Sequence, residues 1–585
     1  MRIKRLKIEN FRGIKLLDWT LPSDQPMVVL VGPGDSSKST ILDAIHYLLG
    51  DRWNIPFSDT DFYDVNVDEP ISIKAILTEL PEAIRKENAF GLWLSGVDSD
   101  GVLHQDPEDI YTPALIARLS VDSSLEPKWT VERVDGQETT LTVAQRRHFS
   151  TFKVDDRNDT QLRWSRTSAL GRMSAQGGGE REALSAASRA AQTALASHES
   201  SSLADLARKI QDRANEIGGG RFQNIKPGLD TSRSSMGAGL ALYESAVPLT
   251  SFGLGSRRLA SFAIQQLAAG NRAVAVVDEI ENGLEPHRAV RLLNYLLTAD
   301  EYSQVIVTTH SPVIVEQAQI ENLATVRSVN GIVTVTSLGG SSAVLQRVRR
   351  ARPSTLLARR VIVAEGKTEH GLLLQMLDYW DEERIAAGLS TSAGEGVAVQ
   401  DGMGGSEVPL RALALADIGY EVAGLMDNDV RDSDAAVVAA ENGGVRIIRW
   451  DLGHNIESQI CSDLEADLLT SFVAVGVERR SAHQTVLDDI NWTADNDPVS
   501  TLEVSDWIAC GMTIEVARQR VAKAAVKRAW FKEVDGGRAL GDWIVAHLSD
   551  PGVAGIVAKL DEAKAFVFQA PQTTPEPEAQ DDGNG

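Results

Sequence analysis

Apolar and polar positions in the first ninety residues follow two rhythms. "MRIKRLKIENF" (Met1–Phe11) alternates charged and apolar residues, the period of a strand with one buried face. "VVLVG" (Val28–Gly32) is a short apolar run ending at glycine and predicts a buried strand. "STILDAIHYLLG" then repeats apolar residues at helical spacing until Gly50, and "PISIKAILTEL" returns to strand. Between "AQGGG" and a second "GGG" lies an alanine-rich helical stretch, so residues 161–245 read as a helical insertion suited to dimerisation. Strand character returns in "AVAVVDE" and "QVIVTTHSP". A basic stretch, "QRVRRARPSTLLARR", places a domain boundary near Pro353. Beyond it strands and helices alternate: "VIVAE", "HGLLLQMLDYW", "EVAGLMDND" and "VRIIRW", the pattern of a parallel sheet. The whole is an α/β chain in five parts: 1–160 and 246–345 as two halves of one domain, the insertion, a second domain over 346–565, and a Pro-rich acidic tail over 566–585 that reads as disordered.

Composition narrows the class. With 585 residues, 43% hydrophobic and 24% charged, the chain is a multidomain globular protein. No apolar run reaches the length of a membrane span, and the N-terminus does not read as a signal peptide. Cys461 and Cys510 form neither a disulfide framework nor a zinc spacing, so a cytoplasmic location is expected. A net charge of −24 argues against a general polyanion binder. Contact with nucleic acid then needs local basic patches or metal ions held by acids.

"GPGDSSKST" (Gly32–Thr40) has the frame G-x-x-x-x-G-K-[ST], with Ser37 in place of the second glycine. A loop after a strand and before a helix aims backbone N–H groups and the helix dipole at phosphates. Gly32, Gly34, Asp35, Ser36, Ser37, Lys38, Ser39 and Thr40 are thus candidate ATP contacts, with Lys38 reaching the terminal phosphates and the Ser39 hydroxyl on Mg²⁺. If Ser37 must adopt a positive φ, the cost is roughly 1–2 kcal/mol, about a tenfold loss of affinity and not abolition. "AVAVVDEIENGLEP" ends an apolar strand in Asp278 and Glu279: the first can hold the metal, the second can polarise the attacking water. One strand later His310 stands at the end of "VTTHSP". Taken singly, two acids at a strand tip and a histidine in a loop are ordinary; their order and spacing favour a nucleotide site.

"LKIENFRGI", this loop, "SFGLGSRRLASFAIQQL", "VVDEIENGLEP" and "VTTHSP" together resemble the ABC-type ATPase head of the SMC/RecF class. The resemblance implies Arg12 near the phosphates, Glu279 as hydrolytic base and His310 as switch histidine. It also implies a signature loop over Ser251–Ser256, including Gly255 and Ser256, that completes a partner's site; "SFGLGSRR" departs from L-S-G-G-Q. A signature loop acts in trans, so a homodimer or higher homo-oligomer is implied.

A second constellation follows. "VIVAEGKTEHGLL" places Glu365 at a strand end and Glu369 one helical turn on. "LMDNDVRD" places Asp427 and Asp429 on one side of an extended segment, and "HNIESQI" offers Glu457. Strand ends in parallel sheets are often acidic merely as helix caps. Here all would open on one edge, where sites of such sheets lie. Two carboxylates about 4 Å apart repel by roughly 4 kcal/mol at an effective dielectric near 20, so a divalent cation is the simplest relief. Oxygen-only ligands favour Mg²⁺ or Mn²⁺.

E-G-x-x-E followed by D-x-D on βα units resembles a Toprim domain. An ABC head followed by Toprim resembles the OLD (overcoming lysogenization defect) family of ATP-dependent nucleases, which includes the large subunit of the Gabija anti-phage system. The likeness runs from Met1 to about Leu560. It implies Glu365, Glu369, Asp427, Asp429 and Glu457 as metal ligands, a basic residue beside the phosphate (Lys532 is the candidate), a DNA substrate, endonuclease or nickase activity and a role in antiviral defence. A helicase-type or reverse-transcriptase-type partner encoded nearby fits it as well. The alternative is an SMC/RecF-like ATPase in DNA binding or repair with an inactive Toprim domain. "QRVRRARPSTLLARR" and "ARQRVAKAAVKRAWFK" are basic patches, either DNA tracks or a linker and a solvated helix face.

Overall fold

The computed structural model describes most of residues 1–155 and 247–569. Residues 23–24, 53, 87–88, 99–100, 271, 299, 341–342, 430–433 and 493–497, most of 156–246 and all of 570–585 lie outside the described set. The insertion expected over 161–245 therefore lies outside the described residues, apart from scattered positions. Two compact units are formed: Met1–Leu6 with Ile41–Ser58 and Pro70–Thr308, and Lys7–Thr40 with Asp59–Glu69 and Thr309–Gly585.

In the first unit the strands Thr151–Val154, Ala273–Val277 and Tyr302–Thr308 run parallel. Every residue of Ala273–Val277 is buried, as expected of an unbroken apolar run covered on both faces. Helix Leu254–Ala269 packs on this layer through Phe262, edge-to-face with Phe152 at 5.7 Å. The strands Ile71–Thr78, Thr112–Val121 and Pro127–Glu132 form an antiparallel ladder.

In the second unit Met27–Val31 pairs in parallel with Leu323–Val329, which turns back antiparallel on Ile332–Ser337. A separate sheet of four parallel strands has the order Val397–Asp401, Arg360–Ala364, Glu421–Met426, Arg446–Arg449. The βα alternation read from the sequence produces this sheet. Helices on it enclose an apolar core that includes Trp380, Trp450, Phe472, Trp530, Phe531 and Trp543.

Arg327 joins the two sheets of this unit. Its guanidinium lies 3.5 Å from the Tyr420 ring centroid and donates to the Ala358 carbonyl at 3.1 Å, just ahead of Arg360–Ala364. Thr325 Oγ1 donates to Ile418 O at 3.3 Å, and Tyr420 Oη to Leu356 O at 2.6 Å. The helices Lys367–Ala386 and Val534–Ala546 cross at glycines. A Cβ on Gly371 would lie 2.0 Å from Val534 O, and one on Gly537 would lie 2.0 Å from Thr368 O. Only glycine on both helices allows that approach.

Two readings of the sequence need correction. The helix Ala554–Val567 buries Phe566 and Val567, so the chain is still packed where the tail was expected to begin at 566. The basic stretch before the parallel sheet is partly internal: Arg349 and Arg360 are buried, whereas Arg347 and Arg350 are exposed. Arg360 is fully buried, bonded to Glu421 at 2.7 Å, Glu395 at 3.2 Å and Val567 O at 2.9 Å. Arg349 donates to the carbonyls of Val315, Glu316 and Ala318 at the end of helix Pro312–Gln317, and Arg352 to Val399 O at 2.6 Å. Arg347 pairs with Glu407 at 3.0 Å. Arg347, Arg349, Arg352 and Arg360 thus commit donors to carbonyls and carboxylates of their own unit, so the stretch is not the uniformly solvated track that its charge pattern suggests.

Candidate active site

In the second unit the strand Met27–Val31 leads into the loop Gly32–Thr40, and the helix begins at Lys38. Gly32 has φ 148°, and a Cβ there would lie 2.5 Å from Val326 O, so this glycine is required by both conformation and space. Gly34 has nothing within 4 Å of its would-be Cβ. Asp35 (φ 58°) and Ser37 (φ 69°) are both left-handed, so the serine at the second glycine position does occupy the strained region. Lys38 is 4% exposed, and its Nζ donates to Pro33 O at 2.6 Å, Gly32 O at 3.0 Å and Ser36 Oγ at 3.1 Å. Ser39 is exposed and Thr40 half-buried at the opening turn of the helix. The Arg12–Gly13 turn lies against the loop: Ser37 Oγ donates to Gly13 O at 3.4 Å. Arg12 is itself held by Asp61 at 2.8 Å. Thr309 N donates to Leu30 O at 3.3 Å, which sets exposed His310 next to the end of the loop's own strand.

In the first unit Asp278 and Glu279 follow Ala273–Val277. Asp278 Oδ1 accepts the Thr308 hydroxyl at 2.6 Å, and that hydroxyl accepts the Glu279 N–H at 2.8 Å. Glu279 is exposed, with φ 45°. Arg258, 1% exposed on helix Leu254–Ala269, donates to the carbonyls of Asp278 and Glu279. Helix Leu254–Ala269 is thereby tied to the acid pair. Gly255 is buried, and a Cβ there would lie 2.4 Å from Gly283 O, so its bareness serves a contact inside its own chain. Ser256 is half-buried, whereas Ser251 and Gly253 are exposed.

The carboxylates gather at the C-terminal edge of the four-stranded sheet. Glu365 follows Arg360–Ala364; its N–H donates to Leu425 O at 2.9 Å and its Oε2 accepts Asp427 N at 2.7 Å. Glu369 is 5% exposed, and its Oε2 accepts Gly366 N at 3.0 Å. Asn428 binds the Trp450–His454 loop through Trp450 O, Gly453 N and His454 O. That loop delivers helix Ile456–Cys461 and Glu457, which is 2% exposed. Asp429 is exposed. Burial is the first cause that pushes the carboxyls of Glu365, Glu369, Asp427 and Glu457 above the ordinary carboxylate range. Repulsion adds to it: Asp427 feels Glu369, Glu365, Glu457 and Asp429. Lys532 opposes it at Glu365, Glu369 and Glu457. Lys532 is exposed and follows Phe531, whose carbonyl accepts Thr368 Oγ1 at 3.0 Å beside the glycine crossing.

Asp427 Oδ1 and Glu457 Oε1 are buried and accept no hydrogen bond. Buried acceptors without donors are costly, and a hard divalent cation is the ligand that oxygen-only donors suit. Among the described residues, no three carboxylate, imidazole or thiolate groups close on a common point at ligating distance. The donor set therefore fits a cation by its chemistry, gathered but not clamped.

One feature of the site escaped the sequence reading. The loop after Val397–Asp401 lies against Glu365: Gly404 N donates to Glu365 O at 2.9 Å, and a Cβ on Gly405 would lie 3.0 Å from the Glu365 carboxylate. "DGMGG" at a strand end was the available signal. In the second basic patch, Arg518 bonds Leu464 O at 2.7 Å and Arg528 lies 3.5 Å from Asp489, while Lys523, Lys527 and Lys532 stay exposed.

Comparison with known proteins bears on the first of these sites. Residues 27–316 match the family described as AAA domain, putative AbiEii toxin, Type IV TA system. An OLD nuclease of Thermus scotoductus is 33% identical over 115 residues, 18% of this chain and 20% of the relative. The chain thus aligns with about a fifth of that relative's length. The SMC head domain of Thermotoga maritima overlaps 58% of this chain and 99% of its own at 14% identity and a TM-score of 0.27. A Pyrococcus furiosus Smc head bound to the C-terminal domain of ScpA overlaps 59% and 99% at 15% and 0.34. At these scores the overlaps carry no argument. Among the described residues no helix is long and apolar enough to cross a membrane. The family match and the loop geometry agree: the chain carries an AAA-type ATP-binding domain within residues 27–316.

Proposed function

We propose that the chain is an ATP-gated, divalent-metal-dependent DNA endonuclease or nickase of the OLD type, working as a homodimer in anti-phage defence. The observation that carries this reading is the carboxylate edge, where Asp427 Oδ1 and Glu457 Oε1 lie buried without donors among acids whose protons burial holds on. Glu365, Glu369, Asp427, Asp429 and Glu457 would hold Mg²⁺ or Mn²⁺, which supplies charge neutralisation and a nucleophilic water for phosphodiester hydrolysis. Lys532, whose charge opposes the raised carboxyls of Glu365, Glu369 and Glu457, orients the scissile phosphate, and exposed Lys523 and Lys527, one helical turn apart, extend the phosphate track. In the Gly402–Gly405 loop, Gly404 N holds the Glu365 backbone and Gly405 presents no side chain to the Glu365 carboxylate. ATP binds at Gly32–Thr40, with Lys38 on the terminal phosphates, Ser39 and Asp278 on its Mg²⁺, Arg12 beside them, Glu279 as hydrolytic base and His310 as switch. Exposed Ser251 and Gly253 are the parts of the signature segment open to a second copy.

Incubation of supercoiled plasmid with Mn²⁺ tests the reading by its products. Nicked and linear DNA support hydrolysis. Unchanged plasmid from a protein that still binds and turns over ATP supports an ATPase of DNA binding or repair with an inert C-terminal domain. Closed topoisomers would indicate strand passage.

A further inference from the structure

A cleft of about 760 Å³ opens in the first unit, and none of its lining residues belongs to the Gly32–Thr40 loop or to the Asp278–Glu279 pair. Glu79, Arg85, Arg147, His148, Ser150 and Arg272 supply its polar wall. Arg272 immediately precedes the strand Ala273–Val277 and Asp278 immediately follows it. At a rise of roughly 3.3 Å per residue those two positions stand about 20 Å apart. Ser150 likewise precedes Thr151–Val154, the parallel neighbour. The cleft therefore faces the start of strands whose other end carries the acid pair.

Two features mark it as more than a surface depression. The first is backbone: Glu79 (φ 48°), Ser150 (φ 47°) and Arg272 (φ 59°) are all left-handed, and none is glycine. Three non-glycine residues held in a sparsely populated conformation around one cleft fix the directions of their side chains, and such strain collects at binding sites. The second is charge. Three arginines and a histidine share the cleft with one carboxylate, Glu79, which already binds Arg272 at 3.1 Å. Arg147 keeps only a 3.7 Å contact with Asp51, and the side chains of Arg85 and His148 make no hydrogen bond or ion pair with any described residue. In a chain of net charge −24, this is a local excess of cations with unused donors. Pro81 and Pro113 add an apolar wall. A volume of this size lies within the range of small-molecule sites, and guanidinium forks match phosphate oxygens in pairs.

We propose that this cleft is a second anion site that takes a phosphoryl-bearing ligand through Arg85, Arg147 and Arg272. The phosphoryl group is offered either by a free nucleotide or by the 5′ end of a DNA strand. Titration calorimetry of the full chain in magnesium-free buffer tests it, with inorganic pyrophosphate, ADP and a DNA hexamer with or without a 5′-phosphate as probes. Pyrophosphate binding should persist in Lys38→Ala and weaken at least about tenfold in the Arg85→Gln/Arg147→Gln variant, the effect of losing charge-assisted bonds. Glu79→Gln removes the single carboxylate and should tighten binding, a gain that misfolding cannot imitate. Preference for the phosphorylated hexamer assigns the DNA end; preference for ADP in Lys38→Ala assigns the nucleotide. Pyrophosphate binding that disappears in Lys38→Ala, or that is unaltered by the arginine and Glu79 changes, overturns the proposal.

Discussion

Replacing Asp427 by Asn keeps the side chain's shape and removes one charge from the carboxylate edge. Burial and four neighbouring carboxylates raise this group's pKa above the ordinary range, so the folded protein without metal holds a proton that the unfolded chain releases near pH 4. The sign follows from that. A carboxyl whose folded pKa is raised contributes most stability below its unfolded pKa and loses it as pH rises toward the folded value. Wild-type protein in EDTA should thus lose stability between pH 5 and pH 8. Each pH unit between the unfolded and folded values costs wild type about 1.4 kcal/mol, so the advantage of Asn should grow by roughly 3 kcal/mol between pH 6 and pH 8. Thermal unfolding in EDTA and in Mn²⁺, at pH 6 and pH 8, reads the effect. Asp427→Asn should melt higher than wild type in EDTA, with a shallower pH slope, and should lose most of the Mn²⁺-induced rise. A variant that melts lower in EDTA, keeps the wild-type slope and still responds to Mn²⁺ would refute the reasoning.

Other outcomes follow from single positions. Ser37→Gly relieves a left-handed serine (φ 69°) and should tighten ATP binding by about tenfold in calorimetry; equal affinity would mean the loop has adapted to serine. Glu279→Gln should retain ATP without turnover, measured as bound nucleotide against phosphate release; wild-type turnover would place the base elsewhere. Gly537→Ala forces a methyl to within 2.0 Å of Thr368 O and should destabilise by about 1–3 kcal/mol. It should also lower cleavage more than it lowers ATP turnover, because the same crossing positions Lys532.

The parts legible in the sequence were those written in local period and spacing. The apolar runs "VVLVG", "AVAVV" and "VIVA" became buried parallel strands because an unbroken run needs cover on both faces. Ser37 was legible as a strained position because the phosphate-loop frame fixes which residue turns left-handed. What escaped depends on partners distant in the chain. Charge pattern cannot distinguish a solvated arginine from Arg349 or Arg360, whose partners are carbonyls and carboxylates 31 to 209 residues away. The helix crossing at Gly371 and Gly537 requires two glycines that no local rule connects. The bare face that Gly405 turns to Glu365 belongs to the neighbouring strand's loop, so its value depends on sheet order.

The measurement closest to the central claim is plasmid cleavage across a Mn²⁺ titration, by wild type and Asp427→Ala, with ATP binding checked in both. Nicked and linear product that rises with Mn²⁺ in wild type and is absent from an ATP-binding Asp427→Ala protein is the predicted result. Equal cleavage by the two proteins, or none by either at any Mn²⁺ concentration, would contradict hydrolysis at the carboxylate edge.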